Sequence, residues 1–364
     1  MRGFFYNQKT MKEHKRIDFI DAGRCIAMLL IMMLHVLQRT YPHFTSTWGS
    51  VYILVLGMTP FFFLSGMSYS YKAPLRPVGF VYDIFKRAFA YFLPFIWFLL
   101  FRVLLYGQWV DFPTAFSEIL EYPVSGLWVC WILVWTVAFL DIGLLIAHWC
   151  PRFKILCGAL SVVIALTVLI ILRKTEVIPS DHFLGYDYFV IYVPVFIIGY
   201  LTGRYIFSVN NILIAVICLA VGLGGLVPVV MFNMNIITVY FLQSKWMFYL
   251  GCLCAMLAFY GLITLLRHVT WAKILSFAGR YTIEAYFLHL MIIKNWGYLD
   301  LPNGWAIFGM TLGLYTLCIV NTVVVTFITY WVPFLHFAMF GRHYSHYAFE
   351  NALFDNLKKA CLSK

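Results

Sequence analysis

A chain of 364 residues that is 63% hydrophobic, only 11% charged and +0.86 in mean hydropathy cannot hide its apolar surface in a water-soluble core. Repeated apolar runs of about 20 residues instead describe a polytopic helical membrane protein, all-α in class. The net charge of +11 has to be placed along the chain before it is interpreted, and its placement argues against nucleic acid as a partner.

The stretch 1–16 is polar and basic and has no small-residue cleavage site, so the first span is expected to be retained rather than removed as a signal peptide. Ten spans are expected, near 18–38, 48–70, 79–106, 126–147, 155–172, 187–207, 211–232, 246–266, 281–299 and 304–333. With the N-terminus in the cytoplasm, most of the 26 lysines and arginines fall on the inner side, among them Lys12, Arg16, Lys72, Arg152, Arg204, Arg267 and Arg280. That bias puts both termini in the cytoplasm by the positive-inside rule, and makes the basic charge a matter of topology and attraction to anionic membrane lipids. The outer loop 107–125 carries Asp111, Glu118 and Glu121 and no cation, and the loop 174–187 carries Asp181 and His182. Either can rim a polar substrate site or be an ordinary solvated loop. The run 304–340 exceeds one membrane thickness, so Pro333 marks its expected break. Residues 1–340 read as one transmembrane domain and 341–364 as an amphipathic cytoplasmic tail. Most of the nine cysteines lie inside apolar runs, without CxxC spacing, which favours packing over disulfides or metal; no metal is expected.

The organising stretch is 21–35, DAGRCIAMLLIMMLH. His35 lies eleven positions after Arg24, and at ~100° per residue the two return to within about 20° of one face, about 16 Å apart along the axis. A charged and a titratable group aligned inside lipid cost several kcal/mol, which makes a functional site the default hypothesis. The bland alternative has Arg24 snorkelling to the interface and His35 satisfied in the core. Asp21 lies one turn from Arg24, so a structural ion pair is also open there. The second span ends PFFFLSG, with Pro60 as a kink and Ser65-Gly66 allowing close helix approach. Lys86 and Arg87 sit where the third span enters from the cytoplasm, as lipid anchors or as ligands for a phosphate. In the ninth span Glu284 and His289 are five residues apart, about 140° around the helix, so they face different neighbours.

Five fragments together carry a resemblance: RCIAMLLIMMLH in the first span, PFFFLSG in the second, GLWVCWILVW in the fourth, VFIIGYLTGRY in the sixth and GRYTIEAYFLH in the ninth. In that order and orientation they resemble acyltransferase family 3, multi-span inner-membrane proteins that move acyl groups, commonly acetyl, from a cytoplasmic coenzyme A thioester to a surface glycan or related acceptor. The most specific element is an arginine followed, after ten residues, by a histidine, which falls on Arg24 and His35; the family's late-helix histidine falls on His289. The resemblance implies His35 and Arg24 as catalytic residues and acetyl-CoA or another acyl-CoA as donor, held by Arg24, Lys86 and Arg87. It implies a glycan or lipid-linked sugar as acceptor, with Asp21, Ser65, Trp128, Glu284 and His289 as positioning or substrate residues. It also implies a bacterial inner-membrane location and a stand-alone form without a fused esterase-like domain. One feature departs: the third span reads FKRAFAYFLP, with Tyr91 where a second arginine is expected.

The competing class is a secondary transporter or flippase. Mid-depth polar groups and the helix breakers Pro194, Gly222, Gly224, Gly225 and Pro228 would serve a permeation path equally well. The halves of the chain show no internal repeat, which many secondary transporters do.

Overall fold

The computed structural model describes residues 18–41, 43–72, 128–178, 185–203, 211–233, 244–293 and 303–340, together with scattered positions between 74 and 114. The described residues form helices, with short turns between some of them. The first, α1 (Asp18–Thr40), carries Asp18 and Asp21 in its first turn and Arg39 in its last, charges that complement the helix dipole at both ends. A single 3-10 turn, Phe44–Ser46, leads into α2 (Trp48–Ser70), which runs through Pro60. Its N-terminus is capped by Thr47, whose hydroxyl accepts from the Ser50 amide at 3.4 Å. Then come α3 (Trp128–Ile146), α4 (Lys154–Lys174), α5 (Tyr186–Thr202), α6 (Ile212–Asn233) and α7 (Ser244–Leu266). The chain closes with a short α8 (Ala272–Gly279), α9 (Thr282–Ile293), the long α10 (Gly304–Trp331) and a short α11 (Pro333–Phe340).

Seven of the described helices (α1, α2, α3, α4, α6, α7 and α10) are long and apolar enough to cross a membrane, and α5 and α9 are shorter apolar helices. Nine of the ten expected spans coincide with a described helix. The other, 79–106, lies largely outside the described residues, as do the loop 107–125 (save position 114), much of the loop 174–187 and the tail 341–364. The expected break at Pro333 falls between α10 and α11. The pattern of apolar runs did not single out the eight-residue α8, which lies between the expected spans 246–266 and 281–299.

The bundle is graded from centre to rim. In α2, 78% of the most apolar window is buried, while α4, α6 and α10 each bury only 22% and present Leu, Ile, Val and Phe outward. Those three helices form a lipid-facing periphery. Exposed tryptophans mark both boundaries: Trp48, Trp246 and Trp305 start α2, α7 and α10, while Trp149, Trp271 and Trp331 lie at the opposite end. Trp305 and Trp331 stand about 39 Å apart along α10, close to the thickness of a bilayer with its headgroups.

Close packing at the centre depends on glycine. A Cβ added to Gly66 of α2 would lie 2.0 Å from the Phe196 carbonyl oxygen of α5, and one added to Gly199 would lie 2.1 Å from the Phe63 oxygen of α2. The two backbones therefore touch, as the Ser65-Gly66 pair leads one to expect. At the basic end of the bundle, Lys72 Nζ sits 3.0 Å from the buried Asp141, and the buried Lys154 ammonium donates to the Ser70 carbonyl at 2.8 Å, closing the end of α2. Because no side chain larger than hydrogen fits the α2–α5 crossing, Gly66→Val is expected to lower the thermal midpoint of detergent-purified protein by several degrees, as overpacking costs about 1–3 kcal/mol or more. An unchanged midpoint would contradict the observed crossing.

Candidate active site

The first helix connects the two ends of the bundle. It packs against α2, α7, α8, α9 and α10, and along it Asp21 and Thr40 are buried and Arg24 and His35 partly buried. Near its N-terminus Arg24 Nη1 lies 3.4 Å from Asp21 Oδ1, a partly buried pair one turn apart. Three turns on, His35 lines a cavity of about 460 Å³ at the opposite end of the bundle. Both residues keep to one stripe of the helix, so a single element joins a guanidinium at one end to an imidazole at the other.

The cavity is built where several helix termini meet. The last turns of α1 supply His35, Gln38 and Arg39, the first turns of α3 and α5 supply Trp128 and Tyr188, and α9 supplies Tyr286. His35 Nδ1 lies 3.1 Å from Gln38 Oε1. A carbonyl oxygen only accepts, so in the assigned amide orientation Nδ1 carries the proton and Nε2 the lone pair. Beneath His35 lies His289, fully buried, its ring stacked on that of His35 at 5.5 Å and 27°. His289 Nδ1 donates to the Ala285 carbonyl one turn back, at 2.8 Å. That leaves its Nε2 as a buried acceptor for which the structure holds no hydrogen-bond partner. Tyr286 meets His289 edge-on at 5.7 Å.

One wall is aromatic. Trp128 stacks on Tyr188 at 4.1 Å and on Tyr192 at 5.5 Å, and Phe62 stacks on Tyr192 at 4.9 Å. Stacked rings of this kind add rigidity beyond their buried area. They give the cavity a flat apolar side facing the polar edge made by His35, Gln38 and Arg39.

The remaining expected residues are dispersed. Ser65 is buried but donates its hydroxyl to the Phe61 carbonyl of its own helix at 2.7 Å and is not among the cavity's lining residues. Glu284 turns away from His289, as the helical offset requires, and faces α11, where its Oε1 lies 3.7 Å from His336 Nε2. The spacing within the ninth span separates Glu284 from His289 but gives no sign of this histidine. Lys86, Arg87 and Tyr91 lie outside the described residues. Also missed were Gln38, Arg39, Tyr188 and Tyr286; the first two sit at i+3 and i+4 from His35 and Tyr286 at i−3 from His289, spacings that put them on the same faces.

A family model described as an acyltransferase domain, that of acyltransferase family 3, matches residues 17–331. The chain belongs to acyltransferase family 3. It is an integral membrane member of that family, and the match runs from the start of α1 to the end of α10, so it takes in both Arg24 and the cavity residues. No curated protein and no solved structure matches the chain. The buried Glu284–His336 contact joins the family-matched α9 to α11, which lies beyond the matched stretch. Removing one member of a buried pair of this kind costs more than removing both. Glu284→Ala and His336→Ala are each expected to lower the thermal midpoint, with the double variant less destabilised than the sum of the two. Strict additivity would show that the two groups are not coupled.

Proposed function

We propose that the protein transfers an acyl group, most simply acetyl, from a cytoplasmic acyl-CoA to a hydroxyl of a glycan or lipid-linked sugar. The single observation that carries this reading is that Arg24 and His35 lie on one face of α1, with His35 lining a cavity and Arg24 near the other end of the bundle. Coenzyme A is polyanionic at its nucleotide end and neutral along its pantetheine arm. Arg24, together with Lys86 and Arg87 of the third expected span, suits its phosphates. The arm then follows the helix stripe and brings the thioester carbonyl towards His35.

The sugar enters from the cavity side. Its ring lies along the Trp128–Tyr188 wall, and Gln38 and Arg39 offer polar contacts at the edge. His35 accepts the hydroxyl proton on Nε2, the orientation that its Nδ1–Gln38 contact favours. The alkoxide oxygen forms the new bond to the thioester carbonyl carbon, the C–S bond breaks, and the coenzyme A thiolate takes the proton back from His35. The products are an O-acyl sugar and free coenzyme A. His289 stacks beneath His35 and holds its ring plane. Asp21 orients Arg24. The charge bias of the loops supports a cytoplasmic N-terminus with the cavity facing outward, and membership of the family supports a bacterial inner-membrane setting.

Acetyl-CoA binding to detergent-purified protein tests the reading, combined with a transfer assay. Arg24→Ala is expected to weaken donor binding by about tenfold or more, the worth of a charge-assisted phosphate contact. His35→Ala is expected to keep donor binding and to lose roughly 100-fold or more in transfer, the usual contribution of a general base. Full transfer by a folded His35→Ala protein would remove the central step, and absence of acetyl-CoA binding by the wild type would favour a transporter.

A further inference from the structure

Leu54, Met58 and Phe62 are successive positions of one ridge of α2, spaced four apart. Leu54 and Met58 line the cavity, whereas Phe62 is not among its lining residues. Along α2 the cavity therefore ends between Met58 and the next turn. Phe62 is fully buried there and stacks on Tyr192 at 4.9 Å, an aromatic layer behind the floor.

The neighbours of Met58 in sequence fix its direction and its level. Gly57 lies against α1, where an added Cβ would be 3.0 Å from Ile31 Cγ1. Thr59 donates its hydroxyl to Cys252 Sγ of α7 at 3.4 Å. Between these two contacts Met58 points into the space that α1, α2 and α7 enclose, and it is 3% exposed. Ile31 precedes His35 by four positions, and α2 runs antiparallel to α1, so Met58 stands about 7 Å further into the bundle than the imidazole.

The cavity is thus divided by depth. Trp128 and Tyr188, in the first turns of α3 and α5, stand at the mouth with Arg39. Further in, the lining includes Leu54, Met58, Tyr192 and Tyr286. A cavity of about 150 Å³ accepts a benzene ring. At about 460 Å³ this one holds a sugar ring at the mouth and leaves space beyond it for a short apolar chain. Tyr192 is fixed by its stacking on Phe62 and Trp128, and Tyr286 by its edge-on contact with His289. Met58 is the unbranched member of this floor, a side chain with three rotatable bonds whose length decides where the space stops.

We infer that Met58 is the gauge of the donor's acyl group: with the thioester carbonyl at His35, the acyl chain points to the floor, and Met58 admits short chains and rejects long ones. The inference rests on the acyl-CoA reading above and adds to it a specificity-determining residue and a class of donor, short-chain acyl-CoA.

Acetyl-CoA and hexanoyl-CoA would be titrated against detergent-purified full-length protein, wild type beside Met58→Ala, Met58→Val and Met58→Leu. The readout is the ratio of the two affinities, which a general loss of packing leaves alone. Met58→Ala is expected to raise the affinity for hexanoyl-CoA relative to acetyl-CoA by about tenfold, at about fourfold for each methylene newly buried. Met58→Val, a smaller cut, should give about threefold, and Met58→Leu, of similar volume, should stay within about twofold of the wild type. A ratio unchanged in both the alanine and the valine variant, with a wild type that binds acetyl-CoA, would overturn the inference and leave the donor reading intact. Equal weakening of both thioesters would also overturn it, making Met58 a wall that the acyl group does not reach. A wild type that binds neither thioester would remove the donor reading and this gauge together.

Discussion

The constraint on which the rest of the structure depends is the placement of Arg24 and His35 along a helix that has to lie inside a bilayer. Neither group tolerates lipid chains, so α1 cannot sit at the rim. The structure answers by surrounding it with α2, α7, α8, α9 and α10 and by leaving the outer positions to α4, α6 and α10, whose apolar side chains face lipid. The glycine crossing of α2 with α5 follows from the same demand. A helix that flanks α1 and is itself largely buried needs close backbone neighbours, and Gly66 and Gly199 let them approach.

Much of this was legible in the chain. Apolar runs near 20 residues locate most of the helices, because in a bilayer the backbone must satisfy its own hydrogen bonds and length alone then selects helices. The Arg24–His35 stripe was legible because the helical period is fixed, and so was the divergence of Glu284 from His289. What was not legible is whatever depends on pairing distant segments. Trp128, Tyr188 and Phe62 belong to three helices and become one wall only when α2, α3 and α5 meet. Ser65 is a different case: the resemblance implies a positioning role for it, while its hydroxyl donates to the carbonyl one turn back, an acceptor the helix itself provides. His336 escaped notice because Pro333 signals a break in the run but not where the segment after it goes, and its contact with Glu284 of α9 depends on that direction.

Helix α9 serves two partners at once. On one side His289 supports His35 at the cavity; on the other Glu284 meets His336 of α11. The two contacts are five residues apart on a helix of twelve, so one short element carries both. Helix α11, which follows the family-matched stretch, is in this way joined through α9 to the histidine pair, although none of its described residues lines the cavity.

The centre-to-rim grading of burial has a consequence for how this sequence can change over time. At the rim of α4, α6 and α10 the neighbour is fluid hydrocarbon, which accepts leucine, isoleucine, valine or phenylalanine alike and has no shape to match. Along α2 the neighbour is another backbone, and there even one added carbon has nowhere to go. Substitutions should therefore accumulate in rings, freely in the outer helices and scarcely at all towards the axis. Two members of the family could share little along their lipid-facing thirds and still be superimposable around α1.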